Sequence, residues 1–272
     1  MNKALLGSLV GLALGIAPAA YAATSVAVIS GGTNSATGAA AQLNDDTYHD
    51  FTATVISVSD AESLTTLQGY DAIVIGDSGF RNNGWTAAMF ASLRSYFDGG
   101  GGIVSAGWYS YGTDILSGQA AIDAEYITPI DDGPYNFATS GTLGITDVNP
   151  ITADVSNFSI TSCCFETAPL GVDVGATAFA TINGQVAGAY QDTNGRSVYL
   201  GPIYMAAASN SSYVATVASL RSGEGDQLFE QAVFWAADGS VAPPVPLPSS
   251  FTFALAGIAG LGWAARRKRK TA

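Results

Sequence analysis

The side chains with the most chemical potential lie together in one short stretch, Gly107-Trp108-Tyr109-Ser110-Tyr111-Gly112. It follows Ile103-Val104-Ser105-Ala106, an apolar run that predicts a buried strand, so the stretch should form a turn at the carboxyl edge of a sheet. Ser110 offers a hydroxyl nucleophile, but a serine hydroxyl needs an adjacent base to activate it. The single histidine, His49, stands upstream in an Asp- and Thr-rich segment, where an exposed loop position is expected, and no other general base is identifiable. Trp108, Tyr109 and Tyr111 point to a second chemistry. Aromatic faces stack on sugar rings, and Asp77 or Ser78, at the end of a neighbouring strand, would bond the hydroxyls. Asp77, Ser78, Trp108, Tyr109 and Ser110 are therefore the candidate binding cleft. The alternative is that the aromatic side chains pack inward and fill it.

Other donors are sparse. Cys163 and Cys164 are adjacent, so in an oxidising compartment they form either a vicinal disulfide or two buried thiols. Zinc takes about four ligands, which one histidine and two neighbouring cysteines do not supply. Asp131-Asp132-Gly133-Pro134 carries two carboxylates, but their spacing is not that of a calcium loop and reads as a solvated turn. No metal, no cofactor and no complete catalytic constellation are expected.

Charge narrows the partners. Lys3 and the five basic residues at 266–270 leave only Arg81, Arg94, Arg196 and Arg221 among the rest of the chain, against all 22 acidic residues, a formal charge of −18. Such a surface repels phosphate backbones and anionic lipid, which excludes nucleic acid as a partner.

The elements that must position the cleft can be read in order. Ser25-Val26-Ala27-Val28-Ile29-Ser30 predicts a buried strand ending at Gly31-Gly32, and residues 35–43 an alanine-rich helix. Residues 51–58 alternate and predict a second strand. Asp60-Ala61-Glu62-Ser63-Leu64 reads as a helical turn with Asp60 at its N-cap. Residues 70–77 form a third strand. Trp85, Met89, Leu93 and Phe97 recur every four residues, as one face of a helix closed by Asp98-Gly99-Gly100-Gly101-Gly102. The strand before Gly107 follows. Alternation of strands and helices with short turns predicts an α/β fold with a doubly wound, mainly parallel, flavodoxin-like sheet. The pattern weakens over 111–149. Beyond it, strands at 176–182, 185–191 and 196–200, joined by Asn183-Gly184 and Asp192-Thr193-Asn194-Gly195, predict an antiparallel hairpin extension. Residues 227–237 predict a last amphipathic helix.

Both ends read as sorting signals. Residues 1–22 predict a signal peptide helix: Lys3, an apolar stretch over 5–16, and small residues Ala20 and Ala22 at the cleavage site. At the other end, a Pro-rich linker at 239–250 precedes an uncharged run at 251–265 and the basic cluster Arg266-Arg267-Lys268-Arg269-Lys270 in the tail 266–272. The uncharged run would cover about 22 Å of a hydrocarbon core roughly 30 Å thick, a marginal transmembrane helix that local thinning and snorkelling side chains would make adequate. The basic cluster should stay cytoplasmic. An ordinary C-terminal anchor is one reading. The order of a Pro-containing motif, a brief apolar helix and a basic end also resembles the PEP-CTERM sorting domain of Gram-negative bacteria that make extracellular polysaccharide. Here the motif is Pro246-Leu247-Pro248, where the family usually has Pro-Glu-Pro. The resemblance implies recognition by an exosortase processing protease. A sortase signal shares the order, but Leu247-Pro248-Ser249-Ser250-Phe251 lacks the Thr-Gly that sortase needs. The protein would be anchored on the periplasmic side of the inner membrane and delivered to the outer envelope or the extracellular space after processing.

The strand over 70–77, the glycine-closed helix before the strand at 103–105, Gly107, Asn149-Pro150-Ile151-Thr152 and the segment 228–237 together resemble the class I glutamine amidotransferase-like superfold, in its ThuA-like branch, over residues 23–238. The superfold implies a binding site near Gly31, Asp77 and Gly107. Its amidotransferases carry a cysteine on the turn occupied here by 107–112, with a histidine downstream. This chain has neither, which implies that acyl transfer of that type is lost. The sequence thus points to an exported envelope or matrix protein with a non-catalytic domain and an interaction or structural role, including contact with extracellular polysaccharide. The enzymatic alternative is a hydrolase acting on carbohydrate or peptide through a non-standard site.

Overall fold

The computed structural model describes residues 23–29, 35–76, 84–131, 133, 135–161, 164–205 and 220–238. The predicted signal peptide, the Gly31-Gly32 turn, Asp77, Ser78, Cys163, the linker, the Pro246-Leu247-Pro248 motif, the apolar run and the basic cluster lie outside these residues.

The N-terminal half alternates as its apolar periodicity predicts: β1 (Thr24–Ile29), α1 (Ser35–Leu43), β2 (Phe51–Ile56), α2 (Val58–Ala61), α3 (Leu64–Leu67), β3 (Ala72–Gly76), α4 (Ala87–Asp98) and β4 (Gly102–Ala106). Then come α5 (Tyr109–Thr113), α6 (Gln119–Tyr126) and the strands β5 (Asn136–Ala138), β6 (Gly141–Ile145), β7 (Phe158–Ile160), β8 (Phe165–Thr167), β9 (Thr177–Ile182), β10 (Gln185–Asp192) and β11 (Arg196–Leu200). A final helix, α7, spans Glu224–Asp238.

Among the described residues the main sheet has the order β2-β1-β3-β4-β11-β10-β9-β6-β7, and β5 pairs with β8 apart from it. From β2 to β11 the pairs are parallel, with Val26 beside Ala72, Val74 beside Val104 and Val104 beside Val198. From β11 to β7 they are antiparallel. The reason lies in the strands' composition. β3 and β4 are buried at every residue, which requires helices on both faces. One face packs α1 and α7 against Val26, Val28, Val74 and Val104. The other packs Met89, Phe90, Leu93 and Phe97 of α4 against Ala27, Ile29, Ile73, Ile75 and Ile103. In the extension, Asn183 (φ 53°) and Gly184 (φ 79°) both take left-handed backbone at the β9–β10 hairpin, the conformation that favours Asn-Gly there.

Several boundaries differ from the sequence-based expectation: β3 starts at Ala72, not at residue 70, and α4 starts at Ala87, after Trp85. β2 stops at Ile56, because Ser57 leaves the strand to cap α2. Ser57, not Asp60, is that cap: its hydroxyl accepts from the Asp60 N–H, and the Asp60 carboxylate at N3 accepts from the Ser57 N–H, a reciprocal capping box. A second short helix is then capped by Ser63. The last helix begins at Glu224, three residues before the predicted start.

Candidate functional site

β4 runs straight into the turn that carries the predicted cleft residues. Gly107 is required there: a Cβ would lie 2.5 Å from both Ile203 Cα and Pro202 O, and the Gly107 N–H donates to Pro202 O at 3.1 Å. Trp108 follows with φ 61° and ψ 20°, a left-handed conformation that costs a non-glycine residue about 1–2 kcal/mol. The chain then enters α5. This strand, strained residue and helix form an elbow that holds one side chain out from the sheet edge, and the residue held there is a tryptophan.

The elbow is filled. Trp108 is 6% exposed and packs with Cys164 and Ile203. The rings of Tyr111, Phe137 and Tyr135 lie 5.0, 5.5 and 6.5 Å from it. Tyr109 is fully buried, and its hydroxyl donates to Ala124 O at 2.7 Å. Ser110 is buried, and its hydroxyl has no hydrogen-bond partner among the described residues. Tyr109 and Ser110 thus face inward. The aromatic surface left toward solvent comes from the half-buried Tyr111 and Tyr135 and from Phe137, which is 60% exposed. Asp77 and Ser78 lie outside the described residues, so their distance from these side chains is not part of the geometry.

One functional residue escapes a reading of the sequence. Glu166, on β8, is fully buried, and its two carboxylate oxygens accept from the Ser110 N–H at 3.0 Å and the Tyr111 N–H at 3.1 Å. Backbone donors at the start of a helix are places where a negative group is stabilised. Here the chain's own carboxylate occupies them. The only signal was an acidic residue between Phe165 and Thr167 in a segment of short strands; such a residue must find donors if it is buried.

The other candidates are dispersed. His49 is not the exposed loop histidine that its Asp- and Thr-rich neighbours suggested. Its ring is half-buried and stacked on Phe234 at 4.2 Å and 8°, because α7 packs over the loop, and that burial lowers its pKa. It lies with α1 and α7, and no contact joins it to Ser110 among the described residues. Cys164 is bonded in a disulfide, and the only other cysteine in the sequence is Cys163. Sequence reasoning also missed three carboxylates, Asp45, Asp226 and Glu230, that converge between α1 and α7. Their legible trace is the i, i+4 spacing of Asp226 and Glu230 in a helix that otherwise buries apolar residues. Among the described residues no helix is long and apolar enough to cross a membrane.

The relatives agree with both halves of this description. Residues 244–270 match the PEP-CTERM protein-sorting motif. No curated protein matches the sequence. Among solved structures, a cytoplasmic protein from Salmonella typhimurium LT2 is similar, at 14% identity and a TM-score of 0.57, over 79% of this chain and 100% of that one. A ThuA-like protein from Bacteroides uniformis ATCC 8492 aligns at 12% identity and a TM-score of 0.58, over 81% of this chain and 95% of its own. A ThuA-like protein from Parabacteroides merdae ATCC 43184 aligns at 14% identity and 0.56, over 83% and 94%. At these identities the likeness is one of fold. The tail motif marks an exported protein of a Gram-negative bacterium and implies processing by an exosortase. The chain therefore carries a PEP-CTERM sorting motif behind a domain with the fold of ThuA-like proteins.

Proposed function

We propose that the protein is an exported envelope or matrix component whose ThuA-like domain binds rather than catalyses, with extracellular polysaccharide as its partner. The observation that carries this reading is the filled elbow. Trp108 stands in the strained position that would present a nucleophile, and the Glu166 carboxylate lies on the nearby Ser110 and Tyr111 N–H groups, where its charge would repel a developing oxyanion. The Ser110 hydroxyl is buried and has no base bonded to it among the described residues. What the elbow does offer is the ring group of Trp108, Tyr111, Tyr135 and Phe137, whose outer members can stack on sugar faces. The same reading extends to the ends of the chain: residues 1–22 direct export, 251–265 hold the chain transiently on the periplasmic side of the inner membrane, and an exosortase acts at Pro246-Leu247-Pro248. Cys163 and Cys164 pair as a vicinal disulfide in that oxidising compartment.

The test is retention of the full chain on exopolysaccharide purified from the producing strain. Phe137→Ala, at an exposed ring, should lose retention without lowering the melting temperature. Hydrolysis of a glycan or peptide by the wild-type chain, abolished in Ser110→Ala, would establish the hydrolase instead.

A further inference from the structure

Away from the elbow, in the seam between α1 and α7, three acidic side chains meet. Asp45 lies in the loop from α1 to β2, and Asp226 and Glu230 stand one turn apart on α7. One carboxylate oxygen from each lies within 4.8 Å of the others. Asp226 is 1% exposed and Glu230 is fully buried, while Asp45 opens to solvent. Each uses one oxygen to bond the chain. Asp45 Oδ1 accepts from the Thr47 N–H and hydroxyl, Asp226 Oδ1 from the Gln42 amide at 2.6 Å, and Glu230 Oε2 from the Tyr48 and His49 N–H groups at 2.9 and 2.8 Å. The second oxygen of each makes no hydrogen bond to the described residues. For Glu230 that oxygen, Oε1, is buried.

A separate side chain points the same way. Gln42 is 3% exposed, and its amide nitrogen is shared between Asp226 and Leu220 O, which fixes the orientation of the amide. Its oxygen is then left buried with no donor among the described residues. Two buried oxygens on side chains that both border Asp226 thus have no hydrogen-bond donor among the described residues, which folded proteins rarely tolerate. The local charge is also uncompensated. Arg221, whose Nη1 donates to Gly38 O, acts electrostatically on Asp226 and Asp45, and three carboxylates against one guanidinium leave a net charge of −2.

We propose that Asp45, Asp226 and Glu230, with the side-chain oxygen of Gln42, bind one calcium ion that ties the α1–β2 loop to α7. The donors are all oxygens, which selects a hard cation. The nearby imidazole of His49 is stacked on Phe234, and it is this residue's main-chain N–H that bonds Glu230. Calcium sits at roughly 2.4 Å from its ligands and so spans oxygens up to about 4.8 Å apart, while magnesium demands a tighter octahedron. The exposed side at Asp45 leaves room for water to complete the coordination. The site is independent of the elbow and of what the elbow binds.

The experiment is calcium titration of the full chain in detergent after EDTA treatment, read by calorimetry and by thermal unfolding. One saturable site is expected, in the roughly 0.1–1 mM range of extracellular calcium modules, with a melting temperature that rises with calcium and rises less with magnesium. Asp45→Asn, at an exposed position that cannot unfold the core, should weaken binding at least tenfold, as should the isosteric Glu230→Gln. Asp192→Asn, on β10 beside Arg196, should leave it unchanged. The proposal is overturned if no saturable site appears. It is equally overturned if magnesium matches calcium, or if Asp45→Asn and Glu230→Gln bind calcium as the wild type does.

Discussion

Trp108 concentrates the residue-scale physics of this protein. A bulky side chain in left-handed backbone is strained, and here Gly107, pinned against Pro202 and Ile203, and Glu166, pinned to the Ser110 and Tyr111 N–H groups, hold the strain in place. At an ordinary position glycine is less stable than alanine, because it loses more backbone freedom on folding. At 108 the order should invert. Both Trp108→Ala and Trp108→Gly lose the ring contacts, but the glycine variant should be the more stable by about 1 kcal/mol in urea denaturation, since it alone escapes the left-handed penalty. The reverse order would mean that the turn relaxes once the ring is gone. A second residue reports through pH. Burial, with Glu125 and Asp131 nearby, raises the Asp173 carboxyl above its ordinary value of 3.8. The fold therefore favours the neutral acid, and stability is lost as pH rises above that value, with no such loss below it. Asp173→Asn should melt higher than the wild type at pH 7, and the gain should vanish by about pH 3.

At the scale of elements, caps and turns decide where the chain changes direction. Removing the Ser57 hydroxyl breaks the half of the α2 capping box in which it accepts the Asp60 N–H and leaves the Ser57 N–H on the Asp60 carboxylate, so Ser57→Ala should cost about 1 kcal/mol in chemical denaturation and leave the sheet intact. The centre of the parallel core was legible from the chain because β3 and β4 are short, mostly apolar runs, and α4 because its buried residues recur at helical spacing. The β9–β10 hairpin was legible from Asn183-Gly184. The capping of α2 was not, because Ser57 and Asp60 are both good cap residues and only the reciprocal bonds choose between them. Nor was the small β5–β8 pair: strands of three residues carry no periodicity. The contacts that give the elbow and the α1–α7 seam their chemistry were equally hidden. Glu166 reaches Ser110 across 56 positions and Glu230 reaches Tyr48 across 182, separations at which a sequence pattern says nothing about who meets whom.

At the scale of the whole molecule, the acidic domain stands between two short terminal segments that read as instructions for transport. Of its 22 acidic residues none lies in residues 1–22 or 239–272, and six of the ten basic residues do. The domain's fold, shared with ThuA-like proteins at 12–14% identity, says little about the task by itself, since one fold hosts many sites. The tail motif says where the task is done. Intact and peptide mass analysis of the protein recovered from its native envelope reads both ends at once. The account predicts a chain that begins near Ala23 and ends between Pro246 and Ser250, with any added mass identifying what it is attached to. A chain that still ends in Lys270-Thr271-Ala272 would contradict it.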